Sequence, residues 1–224
     1  MKLVTFQSMD SLKYLINNGY LICNDKYIDK KKAGFIYDWV LEKMNNEIKN
    51  ETASTYPIWA WVKCYNGICP PKHKGNKING FDVKITFNKK SEDIFITDFI
   101  RFSFLLNNIY IPDSLNDYNK FEKIIKEKDI SKEELKAYVR RDKYDSYRND
   151  KDFIEICAII RKSFDKCITK DSDILQGCVW SINLEEVENI EILPDDGYTY
   201  GSLNYKRKNG KRIDWQTDFY KKLK

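Results

Sequence analysis

The chain has 224 residues, 42% hydrophobic and 33% charged, the proportions of a folded globular protein and not of a disordered segment. Its apolar runs fall far short of the roughly 20 residues that a membrane-crossing helix needs, and Met1 to Gln7 is not followed by the apolar tract of a signal peptide, so a cytoplasmic protein without a membrane span is expected. The net charge of +5 is unevenly placed: residues 201–224 carry eight basic and two acidic side chains, while the first 200 residues carry 31 and 32, leaving a neutral body and a basic tail.

Leu3 to Gln7 reads as a short opening strand. Ser8 or Asp10 is placed to cap a helix striped by Leu12, Leu15 and Ile16, which Gly19 ends. A second helix over residues 31–49 spaces Ala33, Ile36, Tyr37, Val40, Leu41, Met44 and Ile48 three and four apart, with Phe35 and Trp39 off the stripe. Pro57 then begins a strand, because proline cannot donate to a ladder from mid-strand. Residues 64–79 are rich in turn formers and read as a loop.

Phe81, Val83, Ile85 and Phe87 alternate with Asp82, Lys84 and Thr86, the clearest half-buried strand in the chain. Ile94 to Ile96 is a further short strand, and Thr97-Asp98 offers a cap to a helix over 99–108. Helices follow at 118–127 and 132–141, the second opened by Ser131-Lys132-Glu133-Glu134, close to a capping box. A longer helix over 150–167 stripes Phe153, Cys157, Ile160 and Phe164, and strands return at 175–184 and 188–193. The pattern predicts an α+β fold with a mixed or mainly antiparallel central sheet and inserted helices. Residues 1–200 are expected as one domain with a helical insertion near 98–167, and 201–224 as a basic hairpin or tail packed on it.

The chemistry-bearing residues are few. The six cysteines are too sparse for a disulfide scaffold and read as reduced thiols. Cys64, Cys69 and the single histidine, His73, do not have the spacing of a structural zinc site, so no metal is expected. Gly75 and Gly80 stand at phosphate-loop spacing, but Phe81-Asp82 occupies the place of the required Lys-Ser or Lys-Thr. No glycine-rich dinucleotide fingerprint follows the first strand. Asp98, between a strand and a helix, reads first as a capping carboxylate and second as an acidic pocket contact.

In Tyr56-Pro57-Ile58-Trp59-Ala60-Trp61, strand periodicity sends Trp59 and Trp61 to one face and Ile58, Ala60 and Val62 to the other. Both faces are apolar, which favours a central strand with buried structural tryptophans; a partly open cleft with an indole against a flat ligand is the alternative. Gln176 and Trp180 share parity on the late strand and are candidate pocket residues together with Gln7, Trp59, Trp61 and Asp98. Beside the Trp59 strand, Gln176 becomes a ligand-bonding group amid rings; at a strand end it simply faces water. In the tail, Lys206, Arg207, Lys208, Lys211 and Arg212 lie between Tyr205 and Trp215. They form either a phosphate-backbone contact with stacking rings or a charged hairpin around Asn209-Gly210.

Thr5-Phe6-Gln7-Ser8, Tyr56-Pro57-Ile58-Trp59-Ala60-Trp61, Ile96-Thr97-Asp98-Phe99 with Leu105-Leu106-Asn107, and Gln176-Gly177-Cys178-Val179-Trp180 together resemble a family of uncharacterised bacterial and phage proteins catalogued as a domain of unknown function. The resemblance covers most of the chain and implies a small cytosolic domain. A looser resemblance, from Phe6-Gln7-Ser8 through Gly19-Tyr20-Leu21, is to ADP-ribosyltransferase-like domains with a split sheet. It implies NAD as cofactor, with Gln7, Trp59 and Gln176 lining the nicotinamide site and Asp98 as an acidic contact, although the chain offers no histidine-tyrosine-glutamate set.

Three functional expectations follow. The first is a protein that binds a nucleic acid or a partner protein, including a host protein. The second is an NAD-dependent ADP-ribosyltransferase-like enzyme acting on a nucleic acid or protein. The third is a nucleotide-processing enzyme of another kind.

Overall fold

A computed structural model describes residues 1–23, 30–63, 82–138 and 151–192. The expected loop at 64–79, Phe81, and the basic tail with Lys206, Arg207, Lys208, Lys211 and Arg212 lie outside the described residues, as do Cys64, Cys69 and His73. The chain forms two compact units: Met1–Asn24, Glu47–Phe95 and Gln176–Lys224 make the first, Asp25–Asn46 and Ile96–Leu175 the second.

The fold is α+β. β1 (Lys2–Gln7) leads into α1 (Met9–Asn18), where the Ser8 hydroxyl accepts from the Ser11 N–H and Gly19 closes the helix at φ 80°. That left-handed conformation is open to glycine at no steric cost, so this glycine does what the sequence predicts. Leu12, Leu15 and Ile16 are the buried stripe of α1. A strand that the pattern does not announce, β2 (Tyr20–Ile22), follows at once.

Six strands form the main sheet: β1, β3 (Ile58–Lys63), β4 (Val83–Asn88), β5 (Phe95–Asp98), β6 (Leu175–Val179) and β8 (Val187–Ile192), in the order β5-β6-β3-β1-β4-β8. β1 is antiparallel to both β3 and β4, and β4 is antiparallel to β8. The β4–β8 ladder shifts after Thr86, which pairs with Asn189 while Phe87 pairs with Val187, so Glu188 is an extra residue on the edge strand. Ion pairs reinforce this end: Lys84–Glu191 at 2.9 Å, Lys89–Glu186 at 2.9 Å and Lys2–Glu188 at 2.7 Å.

The expected single strand over 175–184 is two strands. β6 belongs to the main sheet, whereas β7 (Ser181–Asn183) pairs with β2, Leu21 opposite Ile182. Trp180 lies between them, with its indole buried and Nε1 donating to the Ile48 carbonyl at 3.3 Å. Apolar pattern alone cannot separate one long strand from two short ones that change partners at a buried residue.

In the second unit, α2 (Lys30–Glu47) is mostly included, with α3 (Phe99–Leu106), α4 (Leu115–Glu127), α5 (Lys132–Tyr138) and α6 (Lys151–Ser163). The Ser131 capping box is complete: its hydroxyl accepts from the Glu134 N–H at 3.1 Å, and the Glu134 carboxylate accepts from the Ser131 N–H at 2.7 Å. α4 begins earlier than the pattern predicts because Ser114 caps it, accepting from the Asp117 N–H. Phe153, Cys157, Ile160 and Phe164 are buried, as their spacing requires. Trp39, off the predicted stripe of α2, is nonetheless 1% exposed and meets Phe164 edge-on at 6.3 Å.

Candidate functional site

The register of the main sheet sorts its side chains into two faces. Val4 lies opposite both Trp61 and Thr86, and Thr86 opposite Asn189. Directly opposed residues share a face, so Trp61, Val4, Thr86 and Asn189 form one row across β3, β1, β4 and β8. Phe6 pairs with Lys84, and Lys84 with Glu191; alternation brings Trp59 into this second row. On the reverse face, Leu3, Thr5, Ile58, Ala60, Val83, Ile85, Phe87 and Ile190 are all buried.

The tryptophan face is the more accessible of the two, although Thr86 on it is buried and Gln7, Val62 and Ile192 on the reverse face are half-buried. Trp59, Trp61, Val4 and Phe6 are half-buried, and so are Lys84, Asn189 and Glu191. The expectation of buried structural tryptophans is corrected to half-buried ones: Ile58 and Ala60 on the alternate side are buried, while both indoles and Val62 are half-buried. Charges here are matched, since Lys84 Nζ is 2.9 Å from Glu191 Oε1, which also accepts from Asn189 Nδ2 at 3.1 Å. Asn189 Oδ1 is buried without a hydrogen-bond partner among the described residues.

β6 lies beside β3. A Cβ on Gly177 would approach Val62 Cγ2 to 2.9 Å and Ile94 Cγ2 to 2.7 Å, so this glycine permits a close approach over the Val62 face. Alternation then turns its neighbours, Gln176 and Cys178, to the face of Trp59 and Trp61. Gln176 is only 8% exposed, and its Nε2 is buried with no hydrogen-bond partner among the described residues. The reading of Gln176 as a strand-end residue facing water is overturned, because β6 is an interior strand of the sheet.

The other predicted site residues are placed elsewhere. Gln7 shares the face of Thr5 and Leu3, opposite to that of the tryptophans. Its Nε2 donates to Thr5 Oγ1 at 2.9 Å, and that hydroxyl donates to the Trp59 carbonyl at 2.7 Å, which satisfies a threonine 1% exposed. Trp180 spends its indole N–H on the Ile48 carbonyl. Asp98 belongs to the second unit, where its Oδ1 accepts from the Arg101 N–H at 2.8 Å as the cap of α3. Gln7 and Trp59, both assigned to the nicotinamide site by the looser resemblance, thus project from opposite faces of the sheet.

Of the four described thiols, Cys23 is half-buried and Cys157, Cys167 and Cys178 are buried. Burial pushes Cys157 up to about 11 and Cys167 up to about 12, the latter aided by the Asp98 charge, and Cys178 is raised by burial alone. Thiolate is the nucleophilic form, so all three are inert at neutral pH. Among the described residues no group of three or more His, Cys, Asp and Glu side chains is placed to hold a metal, and no helix is long and apolar enough to cross a membrane.

The residues that pattern reading missed are Phe6, Thr86 and Asn189, which join the tryptophan face only through register. Alternation within each strand signals their parity, but which strands adjoin is not written in any one segment.

A family model described as a domain of unknown function (DUF3841) matches residues 2–188. The match takes in both tryptophans and Gln176 and ends before the basic cluster at 206–212. No curated protein and no solved structure matches the chain.

Proposed function

The chain belongs to the DUF3841 family, and from that premise we propose that it is a binding protein for single-stranded nucleic acid, held on the Trp59–Trp61 face of the main sheet. The observation that carries this reading is the pair of half-buried indoles at alternate positions of β3, with Phe6 in the row beside Trp59. Aromatic rings on a sheet face accept bases of any sequence by stacking, at ~1–3 kcal/mol per base. Lys84 on this face is paired with Glu191. The cations at positions 206, 207, 208, 211 and 212 supply the charge suited to phosphates.

The test is fluorescence anisotropy of labelled 12-mer oligonucleotides with the full chain. Binding that weakens with salt and falls about tenfold in Trp59→Ala and Trp61→Ala, with native circular dichroism, is expected. No binding at low salt, or binding unaffected by either substitution, contradicts the proposal.

A second reading, recognition of a partner protein, draws on α3, where Phe99, Ile100 and Leu106 are exposed at 39%, 55% and 44%. Apolar side chains gathered on one surface helix suit a protein contact. Under this reading, Ile100→Asp removes partner capture while the Trp59→Ala variant retains it.

A further inference from the structure

Two of the other site candidates have a structural use: Gln7 donates to Thr5, and Trp180 to the Ile48 carbonyl. Gln176 does not. Its carboxamide nitrogen is buried, on a residue 8% exposed, and has no hydrogen-bond partner among the described residues. Polar groups taken out of water without a partner are rare in folded proteins because the lost hydration is not replaced. A donor in that condition, on the strand next to the one that carries Trp59 and Trp61, is suited to an acceptor brought by a ligand.

Position strengthens the case. Gly177, the next residue, allows β6 to pack closely over Val62, where a Cβ would meet that side chain at 2.9 Å. The same alternation that puts Gly177 over Val62 puts Gln176 on the face carrying Trp59 and Trp61. A base stacked on an indole that lies along the sheet would present its edge toward the neighbouring strand. Edges are where bases differ: uracil, thymine and guanine carry a carbonyl oxygen at the position where cytosine and adenine carry an amino group.

We infer that Gln176 reads the edge of a base stacked on the Trp59–Trp61 face, its Nε2 donating to the carbonyl of a keto base and disfavouring an amino base. This deepens the nucleic-acid reading and rests on it. A keto oxygen accepts the unpaired N–H, whereas an amino group opposes one donor with another and leaves both unpaired. The discrimination is a property of Gln176 and the affinity a property of the rings, so the two separate experimentally.

The experiment is anisotropy of labelled (dT)12 and (dC)12 with the full chain and with Gln176→Leu and Gln176→Glu. Wild type is expected to prefer (dT)12 by about five- to tenfold, the range of one hydrogen bond gained against one donor left unpaired. Gln176→Leu, nearly isosteric, should bind both oligomers and lose the preference. Gln176→Glu, if it retains native circular dichroism, should favour (dC)12, because a carboxylate accepts from the cytosine amino group. Equal wild-type affinities, or a preference that survives in Gln176→Leu, overturn the inference while leaving the binding reading intact. Failure of both oligomers to bind wild type overturns the binding reading and the inference with it.

Discussion

The Tyr110 cluster and the tryptophan face both bring aromatic rings together with polar side chains, and they differ in how completely the polar groups are paired. In the second unit, Tyr110 stacks on Phe121 at 4.3 Å, and its hydroxyl donates to both Asp117 oxygens at 3.0 Å. Lys166 lies over the Tyr110 ring at 5.2 Å, donates to the Ile111 carbonyl at 2.8 Å and pairs with Asp113 at 2.9 Å. Ser163 Oγ accepts from the Ile111 N–H and donates to the Ile160 carbonyl. Each of these groups is spent on holding the segment between α3 and α4. On the tryptophan face of the first unit, by contrast, Gln176 Nε2 and Asn189 Oδ1 are buried without partners among the described residues. Rings with charges do not by themselves mark a binding surface; the unspent amide of Gln176 is what sets the proposed surface apart from this cluster.

The largest expected effect sharpens that contrast through stability. Phe121 is 6% exposed, so Phe121→Ala should cost ~3–5 kcal/mol by urea denaturation, the usual loss for a buried phenylalanine. Trp59→Ala, from a half-buried position, should cost about half as much, since part of its surface already meets solvent. Equal losses would mean that Trp59 is core, and the comparison would break.

Gly177→Ala probes the geometry that assigns Gln176 its face. The new methyl would meet Ile94 and Val62 side chains at 2.7 and 2.9 Å, and both belong to a packed region that must shift. A loss of ~1–3 kcal/mol is expected from overpacking. An unchanged denaturation midpoint would show that β6 does not press on β3 there, and the face assignment would fall with it.

Much of this was legible in the sequence, for local reasons. The Ser8 cap, the αL glycine at 19, the Asp98 cap of α3 and the Ser131 capping box each involve residues a few positions apart, where side-chain chemistry dictates conformation directly. The adjacency of β6 to β3, which makes Gln176 notable, depends on pairing between residues more than a hundred positions apart. So does the division of 175–184 into strands of different sheets, which falls at Trp180, whose indole donates to the Ile48 carbonyl. Trp39 falls off the α2 stripe because helical periodicity counts one face, whereas the helix buries a wider arc that reaches Phe164. The half-burial of Trp59 and Trp61 was illegible because Ile58 and Ala60 are equally apolar, and composition cannot say which face is sealed.

A smaller effect, of opposite sign, is expected at Gln176. Replacing a buried, unpaired amide with an apolar group of like shape removes a desolvation penalty, so Gln176→Leu should stabilise the chain by ~1 kcal/mol in the same denaturation assay. Destabilisation of that size would reveal a hydrogen bond at this amide, and the contrast with the Tyr110 cluster would disappear.

The smallest effect lies in the paired cluster. The Asp113 N–H donating to Asp117 holds that carboxyl below the usual aspartate range, with further help from the Tyr110 hydroxyl and Lys166. A carboxyl lowered on folding adds stability above its unfolded value and loses it as pH falls through the folded one, here below about pH 4. Asp117→Asn should therefore flatten the acid limb of a thermal-melting profile and leave the neutral region nearly parallel to wild type. An acid limb of unchanged steepness would show that the cluster is not linked to folding.

The central claim is that bases stack on the half-buried indoles, and tryptophan emission reports this most directly. Titrating the full chain with (dT)12 should quench emission in a saturable way, at the concentrations where anisotropy registers binding, and the quenching should vanish in the Trp59→Phe, Trp61→Phe double variant. Binding by wild type with emission unchanged, or quenching that persists in the double variant, would contradict the account.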